Sequence, residues 1–399
     1  MEDILRLPVW CYCMFVMGAC VGSYLNVVIY RWPREDLSVT KPARSFCPIC
    51  RKDIPWFRNI PIATWILQRG KCAECRAPIA FRYVFVEILT AALFLVGWYS
   101  FVTSQASISP VAAGLVAVLS ILLICIAWID ADLMVVPVDF CWWGMGIGVI
   151  GACLDPTLVA LDLDRGFHLT SWWQGGLQAV FGMVLGWGGL TLVVYLGKKL
   201  MGIKRLEFSR PCGWYLREPE SEEDQLSFVL KMPKKGAEGE FEEDTYAWGD
   251  LFFRDYDRLE IEGHGILMDG ERTKATRLVI SREMVEIEGQ EYSIEKLRSL
   301  EGKASQVNIP REAMGDGDPP LLGLIGAFIG WHGVVFSLFA ACIFAILWAI
   351  PARIGFGRQL PFGPFLALGA GAWIFGGWML WELYFQSLAG FGQRGEGGG

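Results

Sequence analysis

Val111-Ala-Ala-Gly-Leu-Val-Ala-Val-Leu-Ser-Ile-Leu-Leu-Ile-Cys-Ile-Ala-Trp-Ile-Asp130 decides the fold class. These 20 residues carry one charged side chain, and it is the last. As a helix rising 1.5 Å per residue, the run is about 30 Å long, the thickness of a bilayer's hydrocarbon core. A soluble chain could bury one such helix, but comparable stretches recur at 9–30, 82–102, 138–154, 174–197, 319–333, 334–351 and 364–386. The 399-residue chain is 53% hydrophobic and 19% charged, below the roughly 25% charged of soluble domains. The expected architecture is an all-α polytopic membrane protein with about eight transmembrane helices. Gly330, Trp331 and His332 are the expected turn between the sixth and seventh spans, with a single long re-entrant element as the competing reading. The apolar run 1–30 lacks a basic start and a small-residue cleavage site, so it reads as the first transmembrane helix.

Lys and Arg set the orientation. The loop 31–81 carries ten of them, the loop 103–110 none, and the loop 155–173 one Arg against three Asp. Lys198, Lys199, Lys204 and Arg205 follow the fifth span, and Arg353 and Arg358 the seventh. This alternation places both termini outside, and 31–81, 198–318 and 352–363 in the cytoplasm. The tail 388–399 is expected to be disordered.

The segment 200–310 interrupts the apolar pattern between helices 82–199 and the last stretch, 311–387. It holds acidic clusters at Glu220–Asp224 and Glu238–Asp244 and supplies much of the net charge of −7. Arg258–Glu262, Arg277–Ser281 and Met284–Glu288 alternate apolar and polar residues, and Asp269-Gly270 is a hairpin-type turn between two such runs. A small β-rich cytoplasmic insertion is expected. His264 within it has no neighbouring His or Cys at ligand spacing and reads as a surface residue. No nucleic-acid partner is expected.

Cys47-Pro-Ile-Cys50 and Cys72-Ala-Glu-Cys75 form two C-x-x-C pairs in the loop 31–81. Two such knuckles supply four thiolates to one tetrahedral ion, which suits structural zinc. Iron, and disulfides or redox-active cysteines, are the alternatives. Flanking Arg and Lys residues favour thiolates. A closed four-sulfur shell leaves no position for a reacting water, so it argues against zinc hydrolysis.

Asp130 ends one span, and Asp318 precedes another in Gly315-Asp316-Gly317-Asp318. An interfacial Asp that meets water is the plain reading of Asp130 alone, and an ordinary Gly-Asp turn that of Asp318. Together they fall on the same, cytoplasmic, face. Two carboxyls brought close share a proton, so one activates water while the other donates to a carbonyl. Gly315 and Gly317 let the backbone approach closely. Glu87 lies inside the second span, where a carboxylate needs a polar partner or a role.

With these residues, the chain resembles the bacterial type IV prepilin leader peptidases, GxGD-type intramembrane aspartic proteases. The matching stretches lie in order. They begin with Gly22-Ser23-Tyr24-Leu25-Asn26-Val27-Val28-Ile29-Tyr30-Arg31-Trp32-Pro33, followed by the two cysteine pairs. Arg82-Tyr83 with Glu87-Ile88-Leu89-Thr90, Ile129-Asp130 with Pro137, and Gly315–Asp318 with Gly326–Trp331 come next. The last is Pro361-Phe362-Gly363-Pro364-Phe365-Leu366. The resemblance implies a bacterial inner-membrane enzyme that removes short basic leaders from type IV prepilins or type II secretion pseudopilins at the cytoplasmic face. It implies Asp130 and Asp318 as the catalytic pair. It also implies N-methylation of the new N-terminus with S-adenosylmethionine, tied to the loop 31–81. The departures are Pro319-Pro320 where the family usually has Lys two places after the catalytic Asp, the shifted Pro137-Val138-Asp139, and the insertion. The competing reading is a catalytically inactive membrane scaffold for pilus or secretion assembly.

Overall fold

The computed structural model describes residues 2–34, 38–42, 44–47, 49–103, 109–160, 171–201, 203–218, 226–233, 241–252, 257–310, 315–351 and 360–384. The expected disordered tail, 388–399, lies outside the described residues. The chain divides into two compact units, Met1–Thr191 with Asp316–Gly399, and Leu192–Gly315.

The first unit is helical. Its principal helices are α1 (Pro8–Arg31), α2 (Phe81–Trp98), α3 (Pro110–Leu133), α4 (Val138–Leu154), α5 (Trp172–Met201, running into the second unit), α6 (Asp318–Ala349) and α7 (Gly363–Ala372). Among the described residues six helices are long and apolar enough to cross a membrane: Pro8–Arg31, Phe81–Thr103, Pro110–Leu133, Trp172–Gly197, Asp318–Ala349 and Gly363–Tyr384. Val138–Leu154 is apolar but shorter.

Small residues let these helices approach. Gly18 and Gly22 form a G-x-x-x-G stripe on α1. A Cβ on either would lie 2.8 Å from the α2 backbone, at Ala91 and Glu87 respectively. Without a water-driven force between helices in lipid, such close contact supplies the packing. Gly182 and Gly326 do the same for α5 and α6, where an added Cβ would meet the opposite carbonyl oxygen at 2.4 and 2.2 Å.

The expected sixth and seventh spans fall within α6, which is broken at Gly330 (φ 70°, ψ −177°). The chain doubles back there. A Cβ on Gly326 would lie 2.8 Å from Val334 Cγ2, whereas eight residues of continuous helix would separate them by about 12 Å. Only glycine adopts this backbone conformation without strain. The turn thus begins at the residue where the sequence placed it.

Among the described residues the second unit is built on an antiparallel sheet of nine strands. They are β1 (Ile203–Arg217), β2 (Ser227–Pro233), β3 (Phe241–Ala247), β4 (Leu259–Met268), β5 (Glu271–Arg272), β6 (Arg277–Ile280), β7 (Met284–Ile287), β8 (Gln290–Ser293) and β9 (Leu300–Pro310). The order is β3-β2-β1-β9-β4-β6-β7-β8, with β5 paired to β4. Trp214, Phe228, Leu230, Leu259, Ile261 and Val307 belong to its buried core. The runs Arg258–Glu262, Arg277–Ser281 and Met284–Glu288 fall largely on β4, β6 and β7. Asp269-Gly270 is the β4–β5 turn, with φ of 51° and 82°. Glu288-Gly289 repeats it between β7 and β8, with φ of 54° and 79°.

Candidate active site and metal centre

Asp130 sits in the last turn of α3 and Asp318 opens α6; they are 4% and 5% exposed. The Oδ2 of Asp130 accepts the backbone N–H of Gly363 at 2.9 Å. Gly363 is the first residue of α7, so the carboxylate meets an N–H that the helix leaves unpaired and the positive end of its dipole. Gly363 has to be glycine here: a Cβ would lie 2.6 Å from that oxygen.

Asp318 is set from the other side. A Cβ on Gly317 would lie 2.4 Å from the Cβ of Val136, in the turn after α3. The stretch just beyond Asp130 therefore touches the residue just before Asp318. Asp318 also lies within electrostatic reach of Cys141 in the first turn of α4. Both carboxylates occupy one end of the helical unit, where the C-terminus of α3 meets the N-termini of α6 and α7. Gly315 and Asp316 are exposed. Asp132 is paired with Arg82, and Asp139 is exposed in the first turn of α4.

Glu87 is buried in α2. Its Oε2 accepts the backbone N–H of Ile62 at 2.7 Å, and the Ser23 hydroxyl also bonds the carboxylate. Its main partner is therefore backbone from the cysteine loop, which this carboxylate ties to the α1–α2 pair.

The four thiol sulfurs of Cys47, Cys50, Cys72 and Cys75 lie within 4.8 Å of one another. The Cys47–Cys75 pair is 3.9 Å apart. A tetrahedral shell with Zn–S bonds near 2.3 Å requires S···S distances of about 3.8 Å, so the donor set fits. Two near-identical knuckles build it. Arg51 N–H bonds the Cys47 carbonyl at 2.8 Å, and Arg76 N–H bonds that of Cys72 at 3.0 Å. Arg51 and Arg76 have φ of 59° and 61°, and isolated bridges Phe46–Asp53 and Lys71–Pro78 close each turn.

In the metal-free shell the thiols differ. The backbone N–H groups of Cys75 and Glu74 hold Cys72 down at about 7. The Ala77 N–H lowers Cys75, but burial and the thiols of Cys72, Cys50 and Cys47 together push it up to about 11. Arg58 at 2.9 Å and Lys52 at 3.2 Å hold the Glu74 carboxyl below its usual range and pin the second knuckle to the first.

Sequence reasoning missed Gly363's contact with Asp130 and the Gly18–Gly22 stripe. The stripe was visible as a spacing, whereas the Asp130–Gly363 bond joins residues 233 apart and leaves no local signal.

Comparison with known proteins gives the same direction. The profile of the Bacterial Peptidase A24 N-terminal domain matches residues 16–101, and that of the Type IV leader peptidase family matches 305–350. A prepilin leader peptidase/N-methyltransferase of Klebsiella pneumoniae is 31% identical over 220 residues, covering 52% of this chain and 86% of the relative. That of Aeromonas hydrophila is 31% identical over 233 residues, covering 47% and 78%. That of Myxococcus xanthus (strain DK1622) is 38% identical over 148 residues, covering 36% and 40%. The chain thus spans 40% of the Myxococcus relative and 65% of the one from Neisseria gonorrhoeae. No solved structure matches. Shared motifs in register, together with alignments over more than two thirds of the Klebsiella and Aeromonas relatives, place this chain in the type IV leader peptidase family.

Proposed function

We propose that this protein is a membrane aspartic endopeptidase that removes the short basic leader of type IV prepilins or type II secretion pseudopilins, with Asp130 and Asp318 as its catalytic pair. The observation that supports the reading is that two buried carboxyls lie at the same end of the bundle, one of them held by the N-terminus of α7. In this arrangement the pair holds one proton. The ionised carboxyl takes a proton from the attacking water, and the protonated one donates to the scissile carbonyl oxygen. The Gly363 N–H keeps one Asp130 oxygen engaged and so orients the carboxylate. The test is mass spectrometry of the N-terminus of a co-expressed prepilin. Asp130→Asn and Asp318→Asn should each leave the leader attached while the protein still inserts and retains metal. Leader removal by both variants would reject the catalytic assignment.

In this reading the membrane is the bacterial inner membrane. On this reading the other five long helices, Val138–Leu154 and the two halves of α6 on either side of Gly330 are the eight crossings. Zinc on Cys47, Cys50, Cys72 and Cys75 supplies a structural cross-link between the two knuckles and no reacting position. The relatives' names also carry N-methyltransferase, and we extend that activity to this chain. S-adenosylmethionine would supply the methyl group to the new terminal amine. The cavity beside the cysteine loop does not suit it. S-adenosylmethionine is net positive, and this cavity is lined by Arg31 and Arg44 with no carboxylate among its described lining residues.

A further inference from the structure

The same cavity has the shape and charge for a different ligand. It occupies about 480 Å³ along α1 and under the loop that follows. Cys20, Tyr24 and Val27 form its helical wall, a stripe at i, i+4 and i+7 ending at Arg31 one turn beyond. Cys20 lies about 16 Å along the axis from Arg31. That is the depth of one leaflet of a ~30 Å hydrocarbon core.

The loop end is cationic. The Arg31 guanidinium donates to the carbonyls of Ser38, Val39, Pro42 and Arg44 at 2.8–3.3 Å, folding the loop over the end of the slot. Arg44, Ser45 and Asn59 also line it, and Arg44 has no ion-pair partner among the described residues. The remaining wall, Asn59 to Pro61, is held by a strained turn. Ile62 has φ 62° and ψ −55°, and Ala63 N–H closes on the Pro61 carbonyl at 2.5 Å. This is a γ-turn that a β-branched residue rarely adopts. The bond from Ile62 N–H to buried Glu87 stabilises it. Strain maintained by a buried carboxylate marks a wall whose position matters.

We propose that the slot seats an anionic glycerophospholipid from the leaflet on the loop's side. Its phosphodiester sits at Arg44 with Ser45 and Asn59, and one acyl chain runs along Val27, Tyr24 and Cys20. Unlike a soluble anion, a phospholipid fills both the cationic end and the leaflet-deep stripe. The assignment goes beyond leader cleavage and methylation and needs neither.

Native mass spectrometry of the full-length protein in detergent tests it, with phosphatidylglycerol and phosphatidylcholine of identical chains as probes. One phosphatidylglycerol should bind per chain, about fivefold or more tighter than phosphatidylcholine, from one basic side chain at a membrane surface. Arg44→Gln should abolish the preference and Arg44→Lys should keep it. Val27→Trp, which fills the stripe, should weaken both lipids. Zinc content measured on each variant confirms that the loop is folded. Equal binding of the two lipids by the wild type, or an unchanged preference in Arg44→Gln, overturns the proposal. So does binding of sn-glycerol 3-phosphate as tight as that of phosphatidylglycerol, which would mark a soluble-phosphate site. Displacement of the lipid by S-adenosylmethionine overturns it as well.

Discussion

Replacing Gly363 with alanine adds one methyl group facing Asp130. The new carbon would stand 2.6 Å from Oδ2 and 3.3 Å from Cγ. Carbon–oxygen contacts ordinarily stop near 3.3 Å, so the carboxylate or the start of α7 has to retreat by about 0.7 Å. That movement stretches the 2.9 Å bond from Gly363 N–H. A hydrogen bond to a charged group contributes about 1.5–3 kcal/mol, or roughly 10- to 150-fold. A misplacement near 1 Å in a catalytic group costs on the order of 100-fold by itself. Gly363→Ala should therefore lower kcat/KM for leader cleavage by about 100-fold. The assay is detergent-solubilised enzyme with a purified prepilin, the cut N-terminus being counted by mass spectrometry. Gly371→Ala is the control, because the same helix has open space at that position. Activity of Gly363→Ala within about threefold of wild type, with the control equally active, would refute the claim that this contact sets the Asp130 carboxylate.

Gly317→Ala should inactivate similarly, because its Cβ would meet that of Val136 at 2.4 Å. Since alanine keeps that Cβ, Val136→Gly should restore cleavage and Val136→Ala should not, as measured by the same assay. Chelating the metal should open the cysteine loop to limited proteolysis. Gly330→Ala should lower the melting temperature in detergent, since it places a side chain at φ 70° and 3.0 Å from the Val159 carbonyl; an unchanged melting curve would argue against the hairpin.

Much of this fold was legible because lipid imposes a length and a composition on each helix. The Cys47–Cys75 shell was legible because metal geometry fixes spacing. The Asp269-Gly270 turn was legible because only a few residue types adopt its backbone angles. What escaped was long-range. Nothing local predicts that Ile203 at the start of β1 pairs with Pro310 at the end of β9. Nor does the burial of Glu87 reveal that its main partner is the peptide N–H of Ile62 rather than a side chain. The run 319–351 carries no local signal of where it turns beyond Gly330 itself, and the backbone breaks at that residue.

The pairing of Ile203 with Pro310 means that the β unit begins and ends on neighbouring strands. Paired antiparallel strands lie about 5 Å apart. A gene encoding the helices without the intervening hundred or so codons would need only a short connector to rejoin the chain. The sheet is thus an exchangeable cassette, which evolution can swap or discard while the helical framework keeps its own packing.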